Sequence, residues 1–200
     1  MQRAELTLQD RKRQAVRTEV TAVAIDLFLV AGYEAVTVDQ IAAAAGLSPR
    51  SFFRYFANKE AVFTHMLDET GTGIADRLEA RSPHEDPWLA LRRSFDHLIE
   101  MLDGAERSLR MTRLVYETPV LYGGHLRKQA QWNELLADVL APRLIAAPSG
   151  ERRLRAGALA AAAVSCFEYA RLEWVSCDGK RSVAQLLDIT MGAVHPLPEA

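Results

Sequence analysis

Apolar residues recur at helical spacing along almost the whole chain, and nothing alternates with period two for long. Val16, Val20, Val23, Ala24, Leu27, Phe28 and Ala31 form a first stripe, which Gly32 ends. A glycine there suits the left-handed C-cap. Thr37-Val38-Asp39-Gln40 has the form of a capping box, with Thr37 as N-cap and Gln40 at N3, and Val38, Ile41, Ala42 and Ala45 make a short apolar face behind it. Gly46-Leu47-Ser48 breaks that helix. Ser48 caps the next one and Pro49 takes its first position, where a missing N–H costs nothing. Phe52, Phe53 and Phe56 follow, and Asn58 opens a long helix through Val62, Phe63, Met66, Leu67, Ile74 and Leu78. Gly71 and Gly73 are poor helix formers inside it; either they let it flex or they are tolerated flaws.

The polar loop Arg81–Pro87 precedes a helix capped by Asp86 and striped by Trp88, Leu91, Phe95, Leu98, Ile99 and Leu102. Another runs from near Ala105 to Thr118, ended by Pro119. A longer one, Val120 to near Ile145, carries Leu121, Leu126, Trp132, Leu135, Leu136, Val139 and Leu140, with a kink at Pro142. Pro148-Ser149-Gly150 separates it from a helix over 151–176. Asp178-Gly179 then turns the chain, and Ser182 caps a last helix striped by Val183, Leu186, Leu187, Met191 and Val194. The expectation is an all-α protein of about nine helices. Two domains are expected, 1–58 and 59–200.

Composition narrows the class. The 200 residues are 49% hydrophobic and 25% charged, which argues against disorder and against a coiled-coil rod. The formal charge of −2 announces no nucleic-acid or membrane partner, yet the basic run Arg11-Lys12-Arg13 precedes the first apolar stripe, with Arg17 at its start. That run is either a solvated N-terminus or a grip on phosphate. Two cysteines, Cys166 and Cys177, cannot make a disulfide framework or a four-ligand zinc site. No N-terminal apolar segment reads as a signal peptide and no apolar run is long enough to span a bilayer, so a cytoplasmic protein is expected. His65, His84, His97, His125 and His195 lack metal-ligand spacing. Ser51, Ser165 and Ser176 sit in no nucleophile elbow, so neither a metal, a cofactor nor an enzyme is expected.

The informative stretch is Thr37 to Lys59: two short capped helices joined by a tight turn, a helix-turn-helix. Ser48, Pro49, Arg50 and Ser51 fall at the start of its second helix, the part that meets base edges in a major groove. Arg50 can pair with guanine or bind phosphate. Tyr55 and Lys59 lie where a hydroxyl and an ammonium reach the backbone. Phe52 and Phe56 read as core, whereas Phe53 is either core or a contact to a thymine methyl. The run Gly32-Tyr33, then Thr37 through Gly46-Leu47-Ser48-Pro49-Arg50-Ser51-Phe52-Phe53-Arg54-Tyr55-Phe56-Ala57-Asn58-Lys59-Glu60, closely resembles the DNA-binding domain of TetR-family repressors over Arg13 to Phe63. The resemblance implies DNA contacts by Thr37, Ser48, Pro49, Arg50, Ser51, Phe53, Arg54, Tyr55 and Lys59. That family usually has tyrosine where Phe53 stands; the hydroxyl is absent here, and Arg54 is the candidate to replace its contact.

The family resemblance also implies a homodimeric repressor on a palindromic double-stranded operator, released by a small-molecule effector. Phe95, His97, Met101, Met111, Tyr116, Tyr122, His125 and Trp132 are the flexible and aromatic set an adaptable apolar pocket uses, although an ordinary core would use them too. Arg113 and Glu117 either orient a ligand's head group or pair with each other at i,i+4. Arg113-Leu114, Thr118-Pro119-Val120-Leu121, Trp132 and the Ala-rich helix ending at Trp174 resemble a subgroup with acyl-CoA-like effectors. The last two helices are apolar round much of their circumference, and Ala162, Cys166, Leu186, Leu187 and Met191 are the expected subunit contacts. Two rival readings are a small helical enzyme and an adaptor using the helix-turn-helix for protein contacts.

Overall fold

A computed structural model describes residues 7–197, so the outer limits of the expected domains, 1 and 200, lie outside the described residues. Ten α-helices occur among the described residues, and no strand. They are α1 (Leu8–Ala31), α2 (Val38–Ala44), α3 (Pro49–Phe53), α4 (Lys59–Ala80), α5 (Pro87–Ser94), α6 (Asp96–Leu102), α7 (Glu106–Glu117), α8 (Pro119–Leu140), α9 (Arg152–Ser176) and α10 (Val183–Val194). Each expected helix is present, with two differences in extent. The stripe over 88–102 is divided between α5 and α6 at Phe95. There the buried Ser94 hydroxyl donates to the Leu91 carbonyl at 2.6 Å, a back-bond that bends a helix. The helix expected to reach Ile145 ends instead at Leu140, because Pro142 has no N–H to continue the ladder; one 3-10 turn, Ala141–Arg143, follows. Among the described residues no helix is long and apolar enough to cross a membrane.

The chain forms two compact units. The first takes residues up to Leu67 with Leu114–Gly124, and the second takes Asp68–Arg113 with His125 onward. Val20, Ala24, Phe28, Ile41, Phe52, Val62 and Phe63 are buried in the first unit. Phe28 meets Tyr33 and Phe52 meets Phe56, with ring centroids 5.1 and 5.6 Å apart. In the second unit α10 packs along α9 and against α5 and α6. Phe95 stacks on Phe167 at 4.7 Å, and the Trp88 indole N–H donates to the His195 carbonyl at 3.1 Å.

This packing uses most of the expected subunit contacts inside the chain. Cys166, Leu186, Leu187 and Met191 are buried within their own chain, because α10 spends its apolar face on α9. Ala162 is half-buried. The apolar side chains left exposed on these helices are Leu154, Tyr169, Leu172, Ile189 and Val194.

Candidate nucleic-acid interface

The site is built from the first unit's shortest helices. Thr37 caps α2 reciprocally: its hydroxyl accepts from the Gln40 N–H at 3.2 Å, and its own N–H donates to Gln40 Oε1 at 2.8 Å. Gly46 follows with φ 68°, a conformation that would strain any side chain. It lets Leu47 N–H reach the Ala42 carbonyl at 2.8 Å, which folds the chain back on α2. The Ser48 hydroxyl accepts from Ser51 N–H at 3.1 Å, and Pro49 opens α3. Thr37, Ser48 and Ser51 therefore serve the backbone first, whatever else their hydroxyls meet.

Five residues of α3 cannot hold a helix in place by themselves. Phe52 supplies the anchor, fully buried and edge-on to Phe53 at 5.6 Å. Phe53 itself is 57% exposed, which resolves its alternatives in favour of the surface. Pro49, Arg50 and Arg54 are exposed beside it. Arg50 makes no hydrogen bond or ion pair among the described residues, so its planar donor fork stays available. The Arg54 guanidinium lies 6.0 Å from the centroid of the half-buried Tyr55 ring.

Lys59 has a different place from the one its type suggested. Its ammonium donates to the carbonyls of Tyr33, Val36 and Glu34 at 2.7, 3.1 and 3.4 Å and stands 4.2 Å over the Tyr33 ring. An ammonium has three donors, and all three are spent. Lys59 thereby pins the α1–α2 loop to the start of α4, a structural role beside the phosphate contact first expected of it. Burial, aided by Glu60 and Glu34, pushes the Tyr33 phenol up to about 12, so the ring beneath the cation stays neutral. Replacing Lys59 with Met removes the cation and leaves three carbonyls without it; a thermal-unfolding scan should read a loss of roughly 1–3 kcal/mol. An unchanged midpoint with weakened binding to all DNA would restore the phosphate role.

The expected effector residues differ in burial and fall in both units. Phe95, Met111, His125 and Trp132 are buried in the second unit. Tyr116 and Tyr122 face each other at 5.8 Å in the first. Met101, His97 and Glu117 are exposed. Arg113 pairs with Asp178 at 2.6 Å rather than with Glu117. It thereby fastens α7 to the turn after α9.

Around His125 lies a buried polar group that sequence reasoning missed. His125 Nε2 is 2.9 Å from Glu168 Oε2, and the Gln129 amide donates to the same carboxylate oxygen at 2.8 Å. Arg171 is 3.6 Å from that oxygen, and neither Glu168 nor Arg171 is more than 9% exposed. The only sequence signal was two charges three residues apart on an otherwise Ala-rich helix, which reads equally as a solvated face.

Comparison with known proteins places this architecture. Residues 20–66 match the family of bacterial regulatory proteins named tetR, and residues 85–196 match the MftR C-terminal domain. The HTH-type transcriptional regulator TcmR of Streptomyces glaucescens is 36% identical over 144 residues, which span 68% of this chain but 63% of TcmR. MftR of Mycobacterium tuberculosis is 31% identical over 138 residues, 66% of this chain and 68% of MftR. Among solved structures, a TetR-family regulator from Syntrophomonas wolfei has a TM-score of 0.65 at 14% identity, covering 90% of this chain and 93% of that one. Thermus thermophilus FadR, solved in complex with lauroyl-CoA, has a TM-score of 0.56 at 22% identity, covering 92% and 97%. These structures agree with the all-helical fold. With its helix-turn-helix and its C-terminal region both matched, the chain belongs to the TetR family of transcriptional regulators.

Proposed function

We propose that this regulator is a ligand-released repressor that reads a palindromic operator with α3, one copy per half-site. The observation that carries the reading is the row Pro49, Arg50, Phe53 and Arg54, exposed on a helix whose other side is anchored by Phe52. Such a row can enter a major groove, where Arg50 pairs with guanine and the Phe53 ring meets thymine methyls. Two such helices on a twofold dimer fit half-sites one helical turn apart. The exposed apolar residues Tyr169 and Leu172 of α9 and Ile189 of α10 are the proposed dimer contacts, replacing the buried ones first expected.

The proposed effector is elongated and mainly apolar, held in the second unit near Phe95, Met111 and Trp132, with the His125–Glu168 group at its polar end. FadR with lauroyl-CoA makes acyl-CoA the first class to test. An effector that binds the DNA-free state better shifts the population and releases operator, with a coupling of about 1–3 kcal/mol. Titration with lauroyl-CoA and with unrelated apolar compounds should quench or shift Trp132 fluorescence and release operator over one concentration range. Compounds that change the Trp132 signal without releasing DNA would contradict the effector reading.

A further inference from the structure

The second unit holds a concavity that neither the helix-turn-helix nor the proposed effector site uses. It measures about 670 Å³ and is lined by residues 83–87 before and at the start of α5, residues 143–147 after α8, and Arg155, Ala158 and Leu159 of α9. Phe95, Met111, His125 and Trp132, the side chains assigned to the effector, lie outside those segments. The volume falls within the roughly 300–1,000 Å³ of small-molecule sites. Most of the wall is apolar, supplied by Pro83, Pro87, Leu144, Ile145, Ala158 and Leu159 among others, and Ile145 is left 72% exposed there.

Bonds within the chain hold the walls in place. Arg143 donates to the carbonyls of Leu78 and Arg81 at 2.6 and 3.4 Å and also to that of Ser82, which joins the turn after α8 to the end of α4. Arg152 donates to the Ile145 and Ala147 carbonyls, both at 3.2 Å. A wall fixed before binding spares a ligand the cost of ordering it.

The charged side chains of the lining are already committed. The Glu85 carboxylate accepts from Arg81 at 2.7 Å and from Arg93 at 2.8 Å, and the Arg81 bond is the main cause that holds its carboxyl below the ordinary range. Asp86 caps α5 by accepting from the Trp88 and Leu89 N–H groups at 3.0 and 2.9 Å. Arg155 pairs with Glu151 at 2.7 Å, and Arg143 is spent on the three carbonyls. An ion entering the concavity would lose water and meet counter-charges that have partners. An uncharged molecule gains by burying apolar surface and breaks none of these pairs.

We propose that this concavity is a binding site for a compact, uncharged and mainly apolar small molecule, separate from the proposed effector site and independent of it.

Two dyes test both the place and the chemistry. N-phenyl-1-naphthylamine is uncharged, and 8-anilinonaphthalene-1-sulfonate is the same ring system carrying a sulfonate. Titrated into the full chain, the uncharged dye should brighten saturably, and the sulfonate should bind at least tenfold more weakly. Ala158→Trp and Ala146→Trp each put an indole into the concavity from an exposed position, and each should weaken the uncharged dye at least tenfold. Ala130→Trp, the same change on the exposed side of α8, should leave its binding unaltered. Thermal unfolding of the variants checks that the fold is kept, and either lining variant suffices if the other fails to fold. Wild-type dye binding in a folded lining variant would overturn the proposal, as would no saturable binding to the unmodified chain. Equal affinity for the two dyes would overturn the assigned chemistry. Light scattering that shows the lining variants turning dimers into monomers would make the concavity an interface between copies, and that too would overturn it.

Discussion

Leu187→Glu should unfold the second unit rather than merely separate subunits. Leu187 is fully buried where α10 lies on α9, and a carboxylate there would be desolvated. The cost is several kcal/mol, a large fraction of the roughly 5–15 kcal/mol that holds a domain folded. Tyr169→Glu and Ile189→Glu should behave differently. Their side chains are 69% and 56% exposed, so the single chain tolerates the charge and only apolar packing against a second copy suffers. Circular dichroism should show the helical signal collapsing at lower temperature for Leu187→Glu, while light scattering should report folded monomers for the other two. Dimers persisting in both exposed-face variants would remove α9 and α10 from the assembly.

Gly71→Ala should destabilise the protein although helix propensity argues the reverse. Alanine inside a helix is worth up to about 1 kcal/mol over glycine. A Cβ at position 71, however, would lie 2.2 Å from Cδ1 and 2.3 Å from Nε1 of Trp132, whose indole is 3% exposed and has no room to withdraw. Overpacking of this kind costs about 1–3 kcal/mol or more, so packing outweighs propensity. Lys128 pairs with Asp68 at 2.6 Å three residues earlier on α4, so the same two helices cannot separate there without breaking that pair. Gly73 is the internal control. A Cβ there meets only the Arg77 guanidinium tip at 3.1 Å, which can swing away, so Gly73→Ala should be neutral or stabilising. Chemical denaturation of both variants checks the contrast, and adding Trp132→Leu to Gly71→Ala should recover part of the stability. Equal effects of the two alanines would show that α4 and α8 can part freely.

The caps were legible in the sequence because capping is local. Thr37 with Gln40, Ser48 with Ser51, and Asp86 with Trp88 and Leu89 each bond within four residues, and Pro49 and Pro87 mark the first helical positions, so spacing alone reveals these caps. The break at Phe95 was not legible, since the apolar stripe runs straight through it and the Ser94 hydroxyl bond beside it leaves no mark on that stripe. Periodicity also cannot tell burial inside a chain from burial between chains. Leu187 and Ile189 look alike in sequence, and only the position of α9 shows which is core. The loop carbonyls around Lys59 were not legible for a related reason: only the fold brings residues 33–36 beside it. The Glu168–Arg171 pair was hidden because charge in a sequence carries no information about depth.

Arg50→Ala, measured against the operator and a scrambled duplex at fixed salt, tests the DNA-reading role of α3 most directly. The side chain is exposed on the first turn of α3 and unengaged among the described residues, so its removal should leave helicity and assembly intact. Operator affinity should fall by about 1–3 kcal/mol, while scrambled-duplex affinity changes far less. Unchanged operator affinity in a folded dimer of Arg50→Ala would contradict the account.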